Sequence, residues 1–295
     1  MKQPAKTILI RPWTQADIDY VTESVERERW GYTKRDIERC WRLEPNGCFI
    51  AEVQREKVGH VFSIGFDKTG WIGLLIVNPE YRGKGIGTIL TKNAVNYLQK
   101  TGKVTIRLEA AEKAIPLYRR LGFKEEFISL RLSKQLEQNE KGKGKRNNGI
   151  NIFPILEGDI ENLAQFDSKY FGANRTRVLQ SLYRDQPQHC FMAIGRQKTL
   201  GYVMSRKISN GHWIGPLVCE NPKAAEKLLH TCMEAIPKRK TELRLGMPIL
   251  NKNGIKLMKK VGFQQKSKSI RMVWGKHIHE GNVAGIYGIA GPEKG

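Results

Sequence analysis

The sequence predicts an α/β fold that is built twice along one chain. Strand and helix patterns follow one another in the same order in both halves, and an apolar run joins a helical run through a glycine-rich loop at residues 77–87. Residues 212–215 also repeat residues 70–73 at an offset of 142 positions, and residues 254–263 repeat residues 114–123 at an offset of 140. A length of 295 residues suits two domains. The sequence therefore predicts a tandem duplication.

The first elements are a strand, two helices and a hairpin. Thr14 and Asp17 have the spacing of a capping box ahead of a helix. The run at residues 71–77 has the length and β-branched content of a buried strand, and Pro79 prevents its regular continuation. The predicted elements are a strand at 7–11, helices beginning after Thr14 and near Thr33, paired strands at 48–53 and 58–65, and the buried strand at 71–77.

The loop after this strand has the composition of a phosphate site. Gly83, Gly85 and Gly87 have no Cβ, so the backbone can turn sharply and bring its N–H groups against a ligand. A helix begins at Ile86, and free N–H groups at the start of a helix favour phosphate. We expect a coenzyme that contains a pyrophosphate. A dinucleotide is an alternative ligand at this point, because Glu109 stands near the position where dinucleotide-binding folds carry an acidic residue.

A second motif follows the loop and its helix. Residues 104–110 alternate as a strand, residues 114–123 form a short helix that ends at a glycine, and residues 127–132 form another strand. Together, residues 82–87 and 114–123 resemble the coenzyme loop and the second signature of the Gcn5-related N-acetyltransferases (GNATs). One departure is Ala111, where this family often has Asn.

The resemblance implies an α/β (α+β) fold, with a mixed, mostly antiparallel twisted sheet flanked by helices in each of two lobes. It also implies acetyl-CoA as acyl donor, bound in a V between the strands at Trp71 and Val104, and direct attack of an amine on the thioester. Tyr118 holds the place of the family tyrosine that protonates the leaving thiolate, a role that suits a phenol within reach. The implied coenzyme contacts are Ile76, Val77, Arg82, Gly83, Lys84, Gly85, Ile86, Gly87, Thr88 and Tyr118.

The two copies differ where chemistry would occur. Residues 217–225 contain no glycine, and Met258 stands where the first copy has Tyr118. We therefore expect a catalytic lobe at residues 1–133, a flexible basic linker at 134–149, and a degenerate lobe at 150–295 that shapes the acceptor site.

Three further residues are candidates for the site. Glu109 ends a strand beside the expected thioester, so it is either a general base or a solvated carboxylate. Asp167 and Arg175 could orient an amine or a carboxylate of the acceptor, although an ion pair at a helix end is the simpler interpretation.

Composition limits the remaining possibilities. The formal net charge is +22, and residues 150–295 carry 23 Lys and Arg against 11 Asp and Glu. Such a charge attracts anions, but no nucleic-acid motif accompanies it, so nucleic acid is a possible partner that the sequence does not favour. Five cysteines without a Cys-x-x-Cys pair predict no metal site and suit a cytoplasmic protein, and no run is long enough to span a membrane. The oligomeric state is open.

The sequence predicts an N-acetyltransferase that acts on a small-molecule or peptide amine. The alternative is a non-catalytic CoA-binding protein whose basic C-terminal lobe binds RNA or another anionic partner.

Overall fold

The computed structural model describes residues 7–136, 149–237, 241–278 and 281–295. Most of the predicted linker, residues 137–148, therefore lies outside the described residues. Contacts divide the chain into two compact units. The first unit comprises Met1–Glu125, Met272–Ile278 and Lys294, and the second comprises Glu126–Arg271, His279–Glu293 and Gly295.

The first unit contains the elements that the sequence predicts, in the predicted order. They are β1 (Ile8–Pro12), α1 (Ile18–Arg27), α2 (Lys34–Leu43), β2 (Cys48–Val53), β3 (Glu56–Phe66), β4 (Thr69–Val77), α3 (Ile86–Lys100), β5 (Thr105–Ala110) and α4 (Ile115–Arg120). The strands follow the order β1-β2-β3-β4-β5. The first three pairs are antiparallel, whereas β4 and β5 run parallel.

Local sequence signals explain these elements. The Thr14 amide donates a hydrogen bond of 2.7 Å to the Asp17 carboxylate, and the Thr33 amide donates one of 2.8 Å to the Asp36 carboxylate, so capping boxes precede both helices. α3 packs through a fully buried stripe, formed by Leu90, Ala94 and Leu98. The capping residues thus fix where α1 and α2 begin, and the apolar stripe fixes which face of α3 meets the sheet.

The second unit has the same kind of architecture. Its elements are β6 (Lys124–Leu136), β7 (Ile150–Pro154), α5 (Ile160–Phe171), α6 (Thr176–Asp185), β8 (Cys190–Gly195), β9 (Lys198–Ile208), β10 (Gly211–Cys219), α7 (Pro222–Ala235), β11 (Thr241–Pro248), α8 (Lys252–Val261), β12 (Gln264–Gly275) and β13 (Ile286–Gly288). The strand order is β12-β6-β11-β10-β9-β8-β7, and β13 pairs with β10. β10 and β11 run parallel, whereas β6–β11, β7–β8, β8–β9, β9–β10 and β10–β13 are antiparallel. The mixed, mostly antiparallel sheets confirm the predicted fold class.

The two predicted halves of the sequence exchange strands, which the sequence did not predict. β6 pairs with β11 from Ser129–Pro248 to Leu136–Thr241. Residues 272–278 belong to the first unit, where the Lys276 amide donates a hydrogen bond of 2.9 Å to the Val104 carbonyl. The linker was also predicted to begin at residue 134, and this was wrong, since β6 continues to Leu136. The assignment of roles to the two halves stays a prediction.

Matching details support the duplication. The Phe123 amide donates to the Tyr118 carbonyl at 3.0 Å, and 140 positions later the Phe263 amide donates to the Met258 carbonyl at 2.9 Å. The intervening glycine of each copy, Gly122 or Gly262, adopts a left-handed conformation with φ of 88° or 93°. Both copies therefore end the same helix in the same way.

Candidate active site

The central strands of the first unit stop pairing half-way along β4. Residues Thr69–Ile72 of β4 pair with Thr105–Leu108 of β5, and β4 then continues to Val77 without β5 as a partner. Leu74 lies just beyond the last pair, is buried, and has a φ of 49°, and the register between β3 and β4 shifts at this point. This β-bulge redirects the end of β4. The arrangement leaves an opening where the V was predicted.

Two glycines in the loop after β4 adopt a conformation that other residues rarely adopt. Gly83 and Gly85 have φ values of 77° and 81°, and a Cβ added to either would find no atom within 4 Å. Space beside the backbone is therefore open at both positions. Gly87 is needed for packing instead, because a Cβ at this position would lie 3.1 Å from the Leu117 side chain of α4. That glycine lets α3 and α4 approach each other.

The loop and the start of α3 present backbone N–H groups without acceptors. Gly85 is the N-cap residue and has no side chain that could cap the helix. Within the described ranges, the N–H groups of residues 83–88 donate to no protein acceptor. Helix N-termini with free N–H groups bind anions, because the hydrogen-bond donors and the helix dipole act together. The structure thus offers several adjacent donors to a phosphate.

The two basic side chains of the loop stabilise its shape. Arg82 donates through Nε to the Val77 carbonyl at 2.9 Å and pairs with the Glu28 carboxylate. Lys84 donates through Nζ to the Glu80 carbonyl at 2.8 Å. Both side chains therefore already form hydrogen bonds or an ion pair within the protein. The groups available to a phosphate are the backbone amides.

Tyr118 lies on α4 with its ring buried and edge-on to Phe123, the ring centroids 5.7 Å apart. Its hydroxyl makes no hydrogen bond in the described part of the chain. Burial raises the pKa of Tyr118 well above its usual range, so the phenol stays protonated at neutral pH. A protonated phenol whose hydroxyl makes no hydrogen bond within the protein is free to donate one to a bound group.

Glu109 lies half-buried on β5, one residue beyond the last β4–β5 pair. This position is at the opening. The role of Glu109 as a general base stays a prediction.

The equivalent helix start in the second unit is closed by its own side chain. Asn221 caps α7 by accepting a hydrogen bond of 3.0 Å from the Ala224 amide, and Pro222 has no N–H to offer. Met258 is buried at the position that corresponds to Tyr118. The second unit therefore offers fewer open donors at this helix start, and it lacks the phenol.

Comparisons with known proteins agree with this geometry. Residues 9–123 match the model of the acetyltransferase (GNAT) family, and residues 163–288 match that of an acetyltransferase (GNAT) domain. The chain belongs to the GNAT acetyltransferase family. It carries two GNAT domains in tandem and is a member of an acyltransferase family, whose enzymes use acyl-CoA donors and amine acceptors.

Relatives extend over the whole length of this tandem GNAT. Holothin acyltransferase of Pseudoalteromonas sp. (strain SANK 73390) is 26% identical over 297 residues, covering 100% of this chain and 97% of that protein. A crystal structure from Pyrococcus horikoshii, of a protein assigned as an acetyltransferase, superposes with a TM-score of 0.81 at 25% identity and covers 100% of this chain and 98% of that one. A tandem GNAT from the clavulanic acid biosynthesis pathway shares the fold, with a TM-score of 0.63, 12% identity, and coverage of 91% and 98%.

The two predicted acceptor residues of this GNAT form a buried ion pair. Arg175 donates through Nε to Asp167 at 2.6 Å and through Nη2 at 2.9 Å, and its Nη1 donates to the Gly295 carbonyl at 2.6 Å. Tyr202 donates to the same carboxylate at 2.6 Å. Both charged side chains are at most 1% exposed. The geometry favours a structural role, which was the simpler interpretation of the sequence.

Three residues near the site escaped the sequence interpretation. Leu74 forms the bulge, and Glu28 pairs with Arg82 and lies 3.8 Å from Lys113 Nζ. Asn78 fixes the end of β4 by accepting from the Tyr20 hydroxyl at 3.2 Å. Pro216 at the position equivalent to Leu74 is a sequence signal that could have marked the bulge, since proline interrupts strand pairing.

Among the described residues, no group of three or more His, Cys, Asp or Glu side chains could hold a metal ion. No helix formed by the residues that the structure describes is long and apolar enough to cross a membrane.

Proposed function

We propose that the first unit binds acetyl-CoA and transfers the acetyl group to an amine by direct attack on the thioester. One observation carries this proposal: the N–H groups of residues 83–88 have no acceptor in the described chain, whereas Asn221 closes the equivalent helix start of the second unit. A run of open donors at a helix start that is capped by a side chain in the other copy supports a ligand site in the first.

The residues have separate tasks in this reaction. Acetyl-CoA supplies an activated acetyl group on sulfur. The amides of residues 83–88 hold its diphosphate, and the end of β4 at Ile76 and Val77, which β5 does not pair with, guides the arm that carries the thioester towards the opening. As the amine nitrogen forms its bond to the acetyl carbon, the carbon–sulfur bond breaks, and Tyr118 gives its phenolic proton to the sulfur. The proton lost by the nitrogen leaves to solvent or to Glu109.

Transfer can be measured as thiol release with a panel of amines that includes amino acids, peptides and holothin, the compound in the name of a relative. We expect acetyl-CoA-dependent thiol release with at least one amine. Gly83→Glu with Gly85→Glu should abolish coenzyme binding in calorimetry, because two carboxylates would face the diphosphate. Unchanged affinity in this double variant would show that the loop is not the coenzyme site.

Tyr118→Phe tests the proton donor separately. The phenyl ring keeps the packing against Phe123, so coenzyme affinity should be unchanged. Turnover should fall by about a hundredfold or more, since a positioned general acid contributes roughly 10²–10⁴-fold. Equal turnover in Tyr118→Phe and the wild type would remove the acid role. A non-catalytic CoA-binding protein, the alternative function, would bind coenzyme and release no thiol with any amine.

A further inference from the structure

A segment near the C-terminal end of the sequence fills the opening between β10 and β11. β13 pairs with β10 through Leu217–Gly288 and Val218–Ile286. The next residue, Ile289, donates its amide to the Gly246 carbonyl of β11 at 2.8 Å. The direct β10–β11 ladder has already ended, at Trp213 and Arg244. The segment at residues 286–289 therefore bonds to both strands in the region where they no longer pair with each other.

This region is the counterpart of the candidate coenzyme site. At the offset of 142 positions, Leu217 and Val218 correspond to Leu75 and Ile76 of β4. The strand surface that Ile76 offers to the coenzyme in the first unit is covered in the second unit by the chain itself.

Side chains and close backbone contacts hold the segment in place. Asn251 donates through Nδ2 to the Ile286 carbonyl at 3.0 Å, and Trp213 donates through Nε1 to the Ile289 carbonyl at 2.9 Å. Ile286, Tyr287 and Ile289 are each at most 3% exposed. The segment is therefore a fully docked strand with its backbone and side chains both engaged.

The segment lies so close to β10 and β11 that two of their positions have no room for a residue larger than glycine. A Cβ on Gly215 would lie 2.0 Å from the Ile289 carbonyl oxygen, and a Cβ on Gly246 would lie 3.0 Å from the Ile289 side chain. Glycine at both positions admits the segment. The glycines of β10 and β11 thus make room for this segment.

We propose that the opening between β10 and β11 is a strand-binding site that takes an extended peptide, occupied in cis by residues 286–289. The segment excludes acyl-CoA from the second unit, and Asn221 has already closed the helix start that would hold a diphosphate. The claim that each chain binds one acyl-CoA molecule rests on the proposed function. The peptide-binding claim does not.

The test uses the full-length chain and a synthetic peptide of residues 281–292 that carries a fluorophore. Ile286→Asp with Ile289→Asp places two charges in an apolar site and should release the segment. Ala284→Asp is the control, because Ala284 is exposed and precedes the paired residues, so its carboxylate joins the same segment without entering the buried site.

We expect the peptide to bind the double variant saturably, with at least tenfold lower affinity for the wild type and for Ala284→Asp, whose sites are filled in cis. A peptide that itself carries Ile289→Asp should not bind. Equal binding to all three chains, or no binding to a double variant that circular dichroism shows to be folded, would overturn the proposal.

Hydrogen exchange on the wild type keeps the proposal testable if the double variant does not fold. The Ile286–Ile289 amides should exchange as slowly as those of β9, with or without excess acetyl-CoA, because the coenzyme binds elsewhere. Rapid exchange of this segment without coenzyme, or acceleration by acetyl-CoA, would contradict a strand docked in cis. If the wild type fails to bind acetyl-CoA while the amides of this segment still exchange slowly, the proposed function is refuted and the peptide-binding proposal is not.

Discussion

Gly85→Ala separates the conformational role of the loop from its ligand role. Gly85 has a φ of 81°, and a residue with a Cβ pays about 1–2 kcal/mol for this left-handed conformation. In the free protein the added methyl group meets no atom within 4 Å, so it causes no clash of its own. The expected loss of unfolding free energy is therefore about 1–2 kcal/mol.

Coenzyme affinity should fall together with stability. The open space beside Gly85 is where a diphosphate would approach the N–H groups of residues 83–88. A methyl group there displaces the phosphate from at least one donor, and a hydrogen bond to a charged group contributes about 1.5–3 kcal/mol. We expect the Kd for acetyl-CoA to rise at least tenfold, which corresponds to about 1.4 kcal/mol.

Gly102→Ala is a matched control in the same unit. Gly102 has a φ of 80°, follows the C-terminal end of α3, and has no atom within 4 Å of an added Cβ. It should therefore lose a similar amount of stability and keep the wild-type affinity. Calorimetric titration with acetyl-CoA and chemical unfolding give both quantities. Equal affinities for the two variants would refute the assignment of the loop.

Three further predictions follow from the buried groups and the loop. Asp167→Ala leaves the Arg175 charge buried without its carboxylate, so urea unfolding should show a loss of about 3–5 kcal/mol; a loss below 1 kcal/mol would contradict a structural ion pair. Burial lowers the pKa of His60 to about 3, so the folded state resists a proton that the unfolded state accepts below about pH 6.5; His60 should contribute a loss of stability of about 1.4 kcal/mol per pH unit as the pH falls from 6 to 4, and His60→Gln should reduce the measured slope by this amount, while the lowered pKa values of His189 and His212 leave a residual slope. Glu28→Gln removes the carboxylate that pairs with Arg82 and should tighten acetyl-CoA binding several-fold in low salt, whereas weaker binding would show that this pair maintains the loop.

Local signals were sufficient to predict the strands and the loop of the first unit. Gly83 and Gly85 could be assigned to a turn because left-handed backbone favours glycine, and the alternation in β5 placed Glu109 near the end of a strand. Tyr118 could be assigned because the signature around it matches a family motif. The side-chain contacts of these residues could not be predicted from the sequence. The ion pair between Arg82 and Glu28, for example, is known only from the structure.

Features that depend on long-range contacts could not be predicted. The exchange of β6 and residues 272–278, and the insertion of residues 286–289 beside β10, join segments far apart in the sequence without a local pattern that marks their partners. Asp167 lies eight residues before Arg175, yet only the fold shows that both side chains are buried. Burial of a charged pair is decided by the elements that cover it.

A crystal structure grown with acetyl-CoA tests the central claim most directly. The account predicts one coenzyme per chain, its diphosphate oxygens within hydrogen-bond distance of the amides of residues 83–88 and its sulfur beside the Tyr118 hydroxyl. Residues 286–289 should stay between β10 and β11. A coenzyme between those two strands with the segment displaced, or a diphosphate bound away from residues 83–88, would contradict it.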